Sequence, residues 1–397
     1  MFEKFGFKCS ATDKILLLLF LYLLYRSTSI GISFFVIIFS ILSYLFIFRL
    51  RMIDRLSIYI FGFAVSYSVL SFIYTESFNP HNFLYLLAPN AFYFWGKHMI
   101  GICKRKMAIV NFLLIVLLFF ALNTYILTIK DINEVGWVNP FRGMLRVGDS
   151  DVAMPATLFG LNVSLGLSGL AIVLSLPKSF MNLKSLVFLI ILFFSLLTNI
   201  HLTNRTGLFV FVASTLTVYL FTLISKNKSD KYFVGIILIS ILVYLIYSNF
   251  GSSSEFVDAY AQREQSSGQQ ISGYGDRGWR WIDALGRIFY CPLGWSGQAP
   301  YNYAHNLWLD VAMQRGIVPF IFLVFATFYS IKNTLKSIKV KNDYIVMSFL
   351  GLTVCFFLTS FVEPVMIGFD VYFYLYCMLW GMQTAYNKSE LRCLSKK

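Results

Sequence analysis

The chain has 397 residues, 58% hydrophobic and 13% charged, with a formal net charge of +14. A soluble domain carries roughly 25% charged residues, so this composition excludes a water-soluble globular protein and points to a polytopic membrane protein. In a soluble chain the positive excess would suggest nucleic acid; here it sits in short links between apolar runs, where it fixes topology, and no nucleic-acid partner is expected.

Twelve spans are predicted in chain order, at residues 12–26, 30–48, 57–75, 83–101, 107–127, 152–176, 184–201, 207–224, 232–248, 316–331, 344–361 and 365–384. The apolar run of the first, Ile15 to Tyr25, has Lys4, Lys8 and Lys14 before it, as a signal peptide would. It lacks a small-residue cleavage site and a second span follows at once, so it reads as a span, short for a hydrocarbon core of about 30 Å. An even count puts both termini on one side. With that side cytoplasmic, 22 of the 33 basic residues fall in cytoplasmic segments or at their borders, ten lie opposite and Lys97 lies within a span. Every cytoplasmic link is positive, which supports this orientation. Cys9, Cys103 and Cys393 fall near the cytoplasmic side, Cys355 and Cys377 lie in spans, and Cys291 alone lies in the large outer loop, so no disulfide framework is expected.

The organisation is then three blocks: residues 1–248 with nine spans and a smaller outer loop at 129–151, a large outer loop at 249–315, and residues 316–397 with three spans and a cytoplasmic tail. The large loop opens with residues 251–270, rich in Ser, Gln and Gly, whose order must come from the rest of the loop. From Trp279 the pattern changes. Trp279, Ile282, Leu285 and Phe289 recur at helical spacing while Arg280, Asp283 and Arg287 take another face, which predicts an interfacial helix ending at Cys291 and Pro292. Gly294, Gly297 and Pro300 mark a turn-rich link. A second amphipathic helix begins with His305, Asn306 and Leu307, and Gly316 interrupts it before the next span.

His305 is the one histidine of the large loop, placed at the outer headgroup level where an imidazole can accept a proton or hold a hydroxyl. A lone interfacial histidine is more often structural, and its position at a helix start among arginines weighs against that bland reading. Arg205 lies in HLTNRTG (201–207) between two apolar spans; its fork suits phosphate oxygens, with Thr203, Asn204 and Thr206 beside it, though an arginine there can also simply snorkel to the interface. Arg277, Arg280 and Arg287 form a second outer basic group, and Arg142 and Arg146 a third. Anion binding explains positives on the disfavoured side; headgroup contact and pairing with Glu264, Asp276 or Asp283 are the alternatives. Glu363 and Asp370 flank the outer end of the last two spans, and Asp370 can orient His305, pair with an arginine or bind an acceptor hydroxyl. There is no HExxH and no Cys/His ligand spacing, so neither metal nor cofactor is expected.

At these residues the chain resembles the O-antigen ligase and O-antigen polymerase superfamily, transferases that act on undecaprenyl-diphosphate-linked glycans at the outer face of the bacterial inner membrane. The resemblance rests on TNRTG at 203–207, Arg277 with Trp281, CPLGWSG at 291–297, His305-Asn306 and LWLDVAMQRG ending at Gly316. It runs from about residue 185 to 331 in motif. It implies an all-α polytopic fold of about twelve transmembrane helices, GT-C-like, with amphipathic helices in a large periplasmic loop and both termini cytoplasmic. It also implies catalytic roles for Arg205 and Arg277 on the diphosphate and for His305 on the acceptor. Asn204, Arg280, Arg287, Trp281, Asn306, Arg142 and Arg146 become candidate substrate-binding residues. Asn204 stands where the family usually has serine, which leaves its role open. The implied substrate is a lipid-linked oligosaccharide or polysaccharide, and the implied partners are a flippase and a chain-length regulator. Polymerase is the expected activity, with ligation to the lipid A core as the alternative. A transporter would place polar groups at mid-membrane, often in repeated halves; a scaffold would tolerate loss of Arg205, Arg277 and His305 together.

Overall fold

The computed structural model describes residues 6–27, 32–74, 81–139, 143–145, 153–177, 183–224, 273–340, 343–366 and 370–394. Helices dominate: α1 (Ala11–Tyr25), α2 (Ile32–Phe46), α3 (Arg55–Tyr74), α4 (His81–Ile102) and α5 (Lys106–Val135) come first. A short antiparallel ribbon follows, β1 (Gly143–Leu145) with β2 (Ala153–Pro155), Met144 opposite Met154. Then come α6 (Ala156–Ser164), α7 (Gly169–Ser175), α8 (Leu183–His201), α9 (Arg205–Ile224), α10 (Gly273–Tyr290), α11 (Leu307–Arg315), α12 (Ile317–Val340), α13 (Tyr344–Val362) and α14 (Asp370–Leu394).

Among the described residues seven helices are long and apolar enough to cross a membrane: α3, α5, the continuous α6–α7 rod, α8, α9, α12 and α13. The chain is therefore a multi-span, largely helical membrane protein, with fewer full-length spans in the described part than the twelve that hydropathy suggests. The shortfall has physical reasons. Helices α1 and α2 have 15 residues each, about 22 Å at 1.5 Å per residue, less than the hydrocarbon thickness. Helices α4 and α14 are long but polar, α4 with Asn82, Asn90, Lys97 and His98 and α14 with Asp370, Gln383 and Lys388. The span expected at 232–248 lies outside the described residues.

The chain forms two compact units that alternate along the sequence. The first comprises Met1–Phe120, Arg280–Lys341 and Ser360–Lys397; the second comprises Ala121–Trp279 and Asn342–Thr359.

In the first unit α4 packs most closely on α14 because each presents a glycine to the other's backbone. A Cβ on Gly96 would lie 2.0 Å from the Met378 carbonyl oxygen, and one on Gly381 2.0 Å from that of Tyr93. Small residues at such a seam let two helices gain dispersion contacts where lipid supplies no hydrophobic drive. Phe20, Phe39, Phe92 and Trp95 fill the space beside them, with ring centroids 5.0–6.0 Å apart. Polar groups at the predicted cytoplasmic end are paired: Asp54 accepts from Lys97 at 2.6 Å and Tyr93 at 2.8 Å, and Asp13 meets His98 at 2.7 Å.

The second unit is built around the α6–α7 rod, which is buried along nearly its whole length and tightens to a 3₁₀ turn at Leu165–Ser168. Against α8, the later part of α5 carries a ladder of polar pairs three residues apart. Tyr125 meets Ser195 at 2.8 Å, Thr128 meets Thr198 at 2.9 Å and Asp131 meets His201 at 2.7 Å. The shared spacing puts each set on one helix face, and hydrogen bonds between helices hold their register in an apolar medium.

Candidate functional site

Two turns stand out, because Thr203 (φ 49°) and His305 (φ 57°) are the non-glycine residues with a left-handed backbone among those described. Such a conformation costs an L-residue about 1–2 kcal/mol and persists only where the surroundings over-determine it. Each falls inside one of the motifs singled out from sequence.

The Thr203 turn belongs to the second unit and joins α8 to α9. Its backbone closes by Thr203 N–H to the Ile200 carbonyl (2.9 Å) and Asn204 N–H to the Asn199 carbonyl (2.7 Å). Asn204 is buried and turns its Oδ1 to the Thr206 N–H at 3.1 Å, capping α9. Arg205 is then the first residue of α9 and half-buried. The turn is anchored by His201, which is fully buried between Asp131 (2.7 Å) and the Trp137 carbonyl (3.0 Å). Asn139 donates to the same Asp131 carboxylate at 2.5 Å and to the Gly143 carbonyl at 2.9 Å, so the segment leading to β1 is tied to the same histidine. Arg277, half-buried on α10, also belongs to this unit. Arg142 and Arg146 lie outside the described residues.

The His305 turn belongs to the first unit, in the link from α10 to α11. The expected interfacial helix is α10. Ile282 and Phe289 are strongly exposed along one stripe while Ala284 and Ile288 are buried in a small core with Trp295, Tyr301, Ala304, Leu309, Ala312 and Met313. Helix α11 is not amphipathic as its sequence suggests: Leu307 through Met313 are all buried. Its nine residues are packed on α12 and α3, with Gln314 accepting from Tyr67 at 2.5 Å and Arg315 donating to Ser71 at 2.5 Å. Gly316 ends α11 as expected, at φ 80°, where a Cβ would lie 2.1 Å from the Pro292 carbonyl oxygen.

Asp310, in the first turn of α11 and fully buried, fixes the loop. It accepts the N–H of Ala304 at 2.6 Å and of Asn306 at 3.1 Å, one residue on either side of His305. Burial pushes its carboxyl up to about 7, against the pull of those two N–H groups and of Arg280. Asn306 caps α11 through its Oδ1 (3.2 Å to Leu309 N–H) and donates through Nδ2 to the Phe361 carbonyl at 3.2 Å. From α10, Arg280 donates to the Tyr303 carbonyl at 3.2 Å and Trp281 to the Ala304 carbonyl at 2.9 Å. Arg287 grips both oxygens of Asp283, at 2.9 and 3.0 Å, and Asp283 also accepts from Tyr301 at 2.8 Å. Arg280, Arg287, Trp281 and Asn306 thus all hold protein groups around this loop. Tyr303 meets the His305 ring edge to face at 4.8 Å.

The His305 side chain is 19% exposed, and its Nδ1 faces the Glu363 Oε2 at 3.9 Å. The acid beside the imidazole is thus Glu363, just past α13, while Asp370 receives a hydrogen bond from Tyr85. Asp310 and the His201–Asp131 pair were passed over in the sequence. Asp310 had a signal, an acid four residues after a capping asparagine at a helix start; Asp131 had none, because its partner lies 70 residues away.

No group of three or more His, Cys, Asp or Glu residues is placed to hold a metal ion among the described residues. No protein-family model and no curated protein matches this chain.

Proposed function

We propose that this chain is a membrane glycosyltransferase of the bacterial inner membrane. It moves a glycan from undecaprenyl diphosphate to a lipid-linked repeat unit at the outer face, as an O-antigen or related repeat-unit polymerase. The observation that carries the reading is His305, a strained, partly exposed imidazole whose backbone is pinned on both sides by one buried aspartate. Strain held this firmly accompanies functional groups more often than idle surface ones. The strained turn before Arg205 supports the second motif in the same way.

In this reaction the acceptor hydroxyl oxygen bonds to the anomeric carbon as the bond from that carbon to the diphosphate oxygen breaks. His305 takes the hydroxyl proton, and the diphosphate leaves with the bonding electrons. Arg205 and Arg277 are assigned the departing charge, where a guanidinium's planar fork stabilises phosphate oxygens without a metal. A single displacement inverts the anomeric configuration. Arg280, Arg287, Trp281 and Asn306 act by shaping the His305 loop through the bonds they make.

Purified full-length protein supplied with a lipid-linked repeat unit, alone or with lipid A core, tests this by product mass. Ladders of repeat units without core are expected; glycan joined only to core selects the ligase. His305→Asn, Arg205→Gln and Arg277→Gln should each retain abundance and lose transfer. Unchanged product amount and length in all three overturns the reading.

A further inference from the structure

We propose that Glu363 is the positioning residue for His305, holding the imidazole proton on Nδ1 so that Nε2 presents the lone pair. The inference rests on the transfer reading for its catalytic consequence, and on geometry alone for the proton's place.

The loop fixes the ring's direction before the carboxylate acts. Asp310 sets the backbone on both sides of His305, Trp281 and Arg280 hold the two preceding carbonyls, and the Tyr303 ring stands edge to face against the imidazole. His305 Nδ1 is shielded from water and makes no hydrogen bond to a described residue, so the exposed part of the ring lies away from it. What it faces is an acid. The Glu363 side chain is 7% exposed and lies just past the end of α13, and its Oε2 is a carboxylate oxygen 3.9 Å from Nδ1. Asp310 is occupied by backbone N–H groups.

A neutral imidazole carries one proton, and its tautomer is set by what the other nitrogen meets. A carboxylate only accepts, so a bare Nδ1 lone pair opposite it is repelled while an Nδ1–H is attracted. A gap of 3.9 Å is too long for a hydrogen bond. Closing it by about 1 Å when the imidazole takes the acceptor's proton would place the new positive charge against a carboxylate. The arrangement thus strengthens on the way to the transition state, which is the kind of contact that accelerates a reaction.

The test is ¹⁵N spectroscopy of the full chain in detergent, labelled at histidine, at alkaline pH where imidazole is neutral. His305→Asn identifies the resonance. The proton should sit on Nδ1 in the wild type and in Glu363→Gln, which keeps an accepting oxygen, and move toward Nε2 in Glu363→Met. A wild-type proton on Nε2 overturns the proposal by itself, so the test survives a methionine variant that does not fold. With an undecaprenyl-diphosphate-linked repeat unit as donor, Glu363→Met should lose about 100-fold in kcat with the donor KM unchanged, and Glu363→Gln, which keeps the acceptor for Nδ1–H but not the negative charge, should recover only part of it. An unaltered kcat in Glu363→Met overturns the proposal. If the wild-type chain transfers nothing, the transfer reading fails and the tautomer still decides the role of Glu363.

Discussion

The two left-handed turns reach the same backbone state by opposite means. At Thr203 the strain is imposed from behind: α8 is held in register on α5 by the Tyr125, Thr128 and Asp131 pairs, and the chain must reverse within three residues to enter α9. At His305 it is imposed from ahead and from the side, by Asp310 on the following helix and by Arg280 and Trp281 on the preceding one. The first device fixes a direction of approach for the chain and leaves Arg205 at a helix start. The second fixes one residue, and with it the direction of one imidazole. Under the proposed reaction, gripping a diffuse anion tolerates the looser device, whereas taking a proton from one oxygen needs the tighter one, since proton transfer demands hydrogen-bond distance.

The largest effect should come from removing the tighter clamp. Asp310→Ala leaves two buried N–H groups without acceptors, at about 1–3 kcal/mol each, and hydrogen exchange at Ala304 and Asn306 should accelerate by orders of magnitude. The same site makes a prediction in pH. The carboxyl sits at about 7 in the fold against about 4 unfolded. A raised carboxyl contributes stability that is fully present below the unfolded value and is lost as pH rises through the folded one. Corrected for intrinsic rates, exchange at these amides should therefore speed up between about pH 4 and pH 7 in the wild type and stay level in Asp310→Asn. Level behaviour in the wild type would remove Asp310 from this role.

Next in size is the looser clamp. Asp131→Ala strips buried His201 and Asn139 of their shared acceptor, a loss of about 1–3 kcal/mol in unfolding free energy. Gly207→Ala should cost a similar amount, because its Cβ would lie 2.1 Å from the Asn199 Oδ1. If both variants instead leave stability and transfer unchanged, the register of α8 does not set the Thr203 turn.

A smaller effect belongs to Trp281→Phe, which keeps the ring against Phe361 but loses the hydrogen bond to the Ala304 carbonyl. About 1 kcal/mol is expected, with transfer falling more than stability because the lost bond adjoins His305. Equal losses in the two measurements would make Trp281 a packing residue only.

How much of this was legible in the sequence follows from the range of the forces. Periodicity and glycine chemistry act over a few residues, so α10 and the stop at Gly316 could be read directly, and α9 was expected from residue 207, two residues after its start at Arg205. Local charge pairing was readable too, since Asp283 and Arg287 are one helical turn apart. Helix α4 falls short of the hydropathy of a span because a helix buried against protein tolerates Asn90 and Lys97, which pair inside the unit and not with lipid. The facing of His305 by Glu363 and not Asp370 was out of reach. The two acids are seven residues apart near one helix junction, and only the way α13 ends decides which of them meets an imidazole 58 residues earlier in the chain. For the same reason the engagement of Arg280 with the Tyr303 carbonyl, 23 residues on, was out of reach, whereas the pairing of Arg287 with Asp283 was among the alternatives its sequence offered.

The smallest effect is the most discriminating between the two turns. Glycine adopts a left-handed backbone without the Cβ penalty, so Thr203→Gly and His305→Gly both relieve strain, worth about 1 kcal/mol before the entropy of the more flexible unfolded chain is set against it. Chemical denaturation should find both variants within about 0.5 kcal/mol of the wild type. Transfer should then separate them. Thr203→Gly keeps Asn204 as the cap of α9 and Arg205 as its first residue, and should retain more than half of the rate. His305→Gly keeps the loop and removes the imidazole, and transfer should fall below detection, with added imidazole restoring part of it. A His305→Gly variant that transfers normally would mean that the clamp around residue 305 exists for the loop's own sake, and that the proton goes elsewhere.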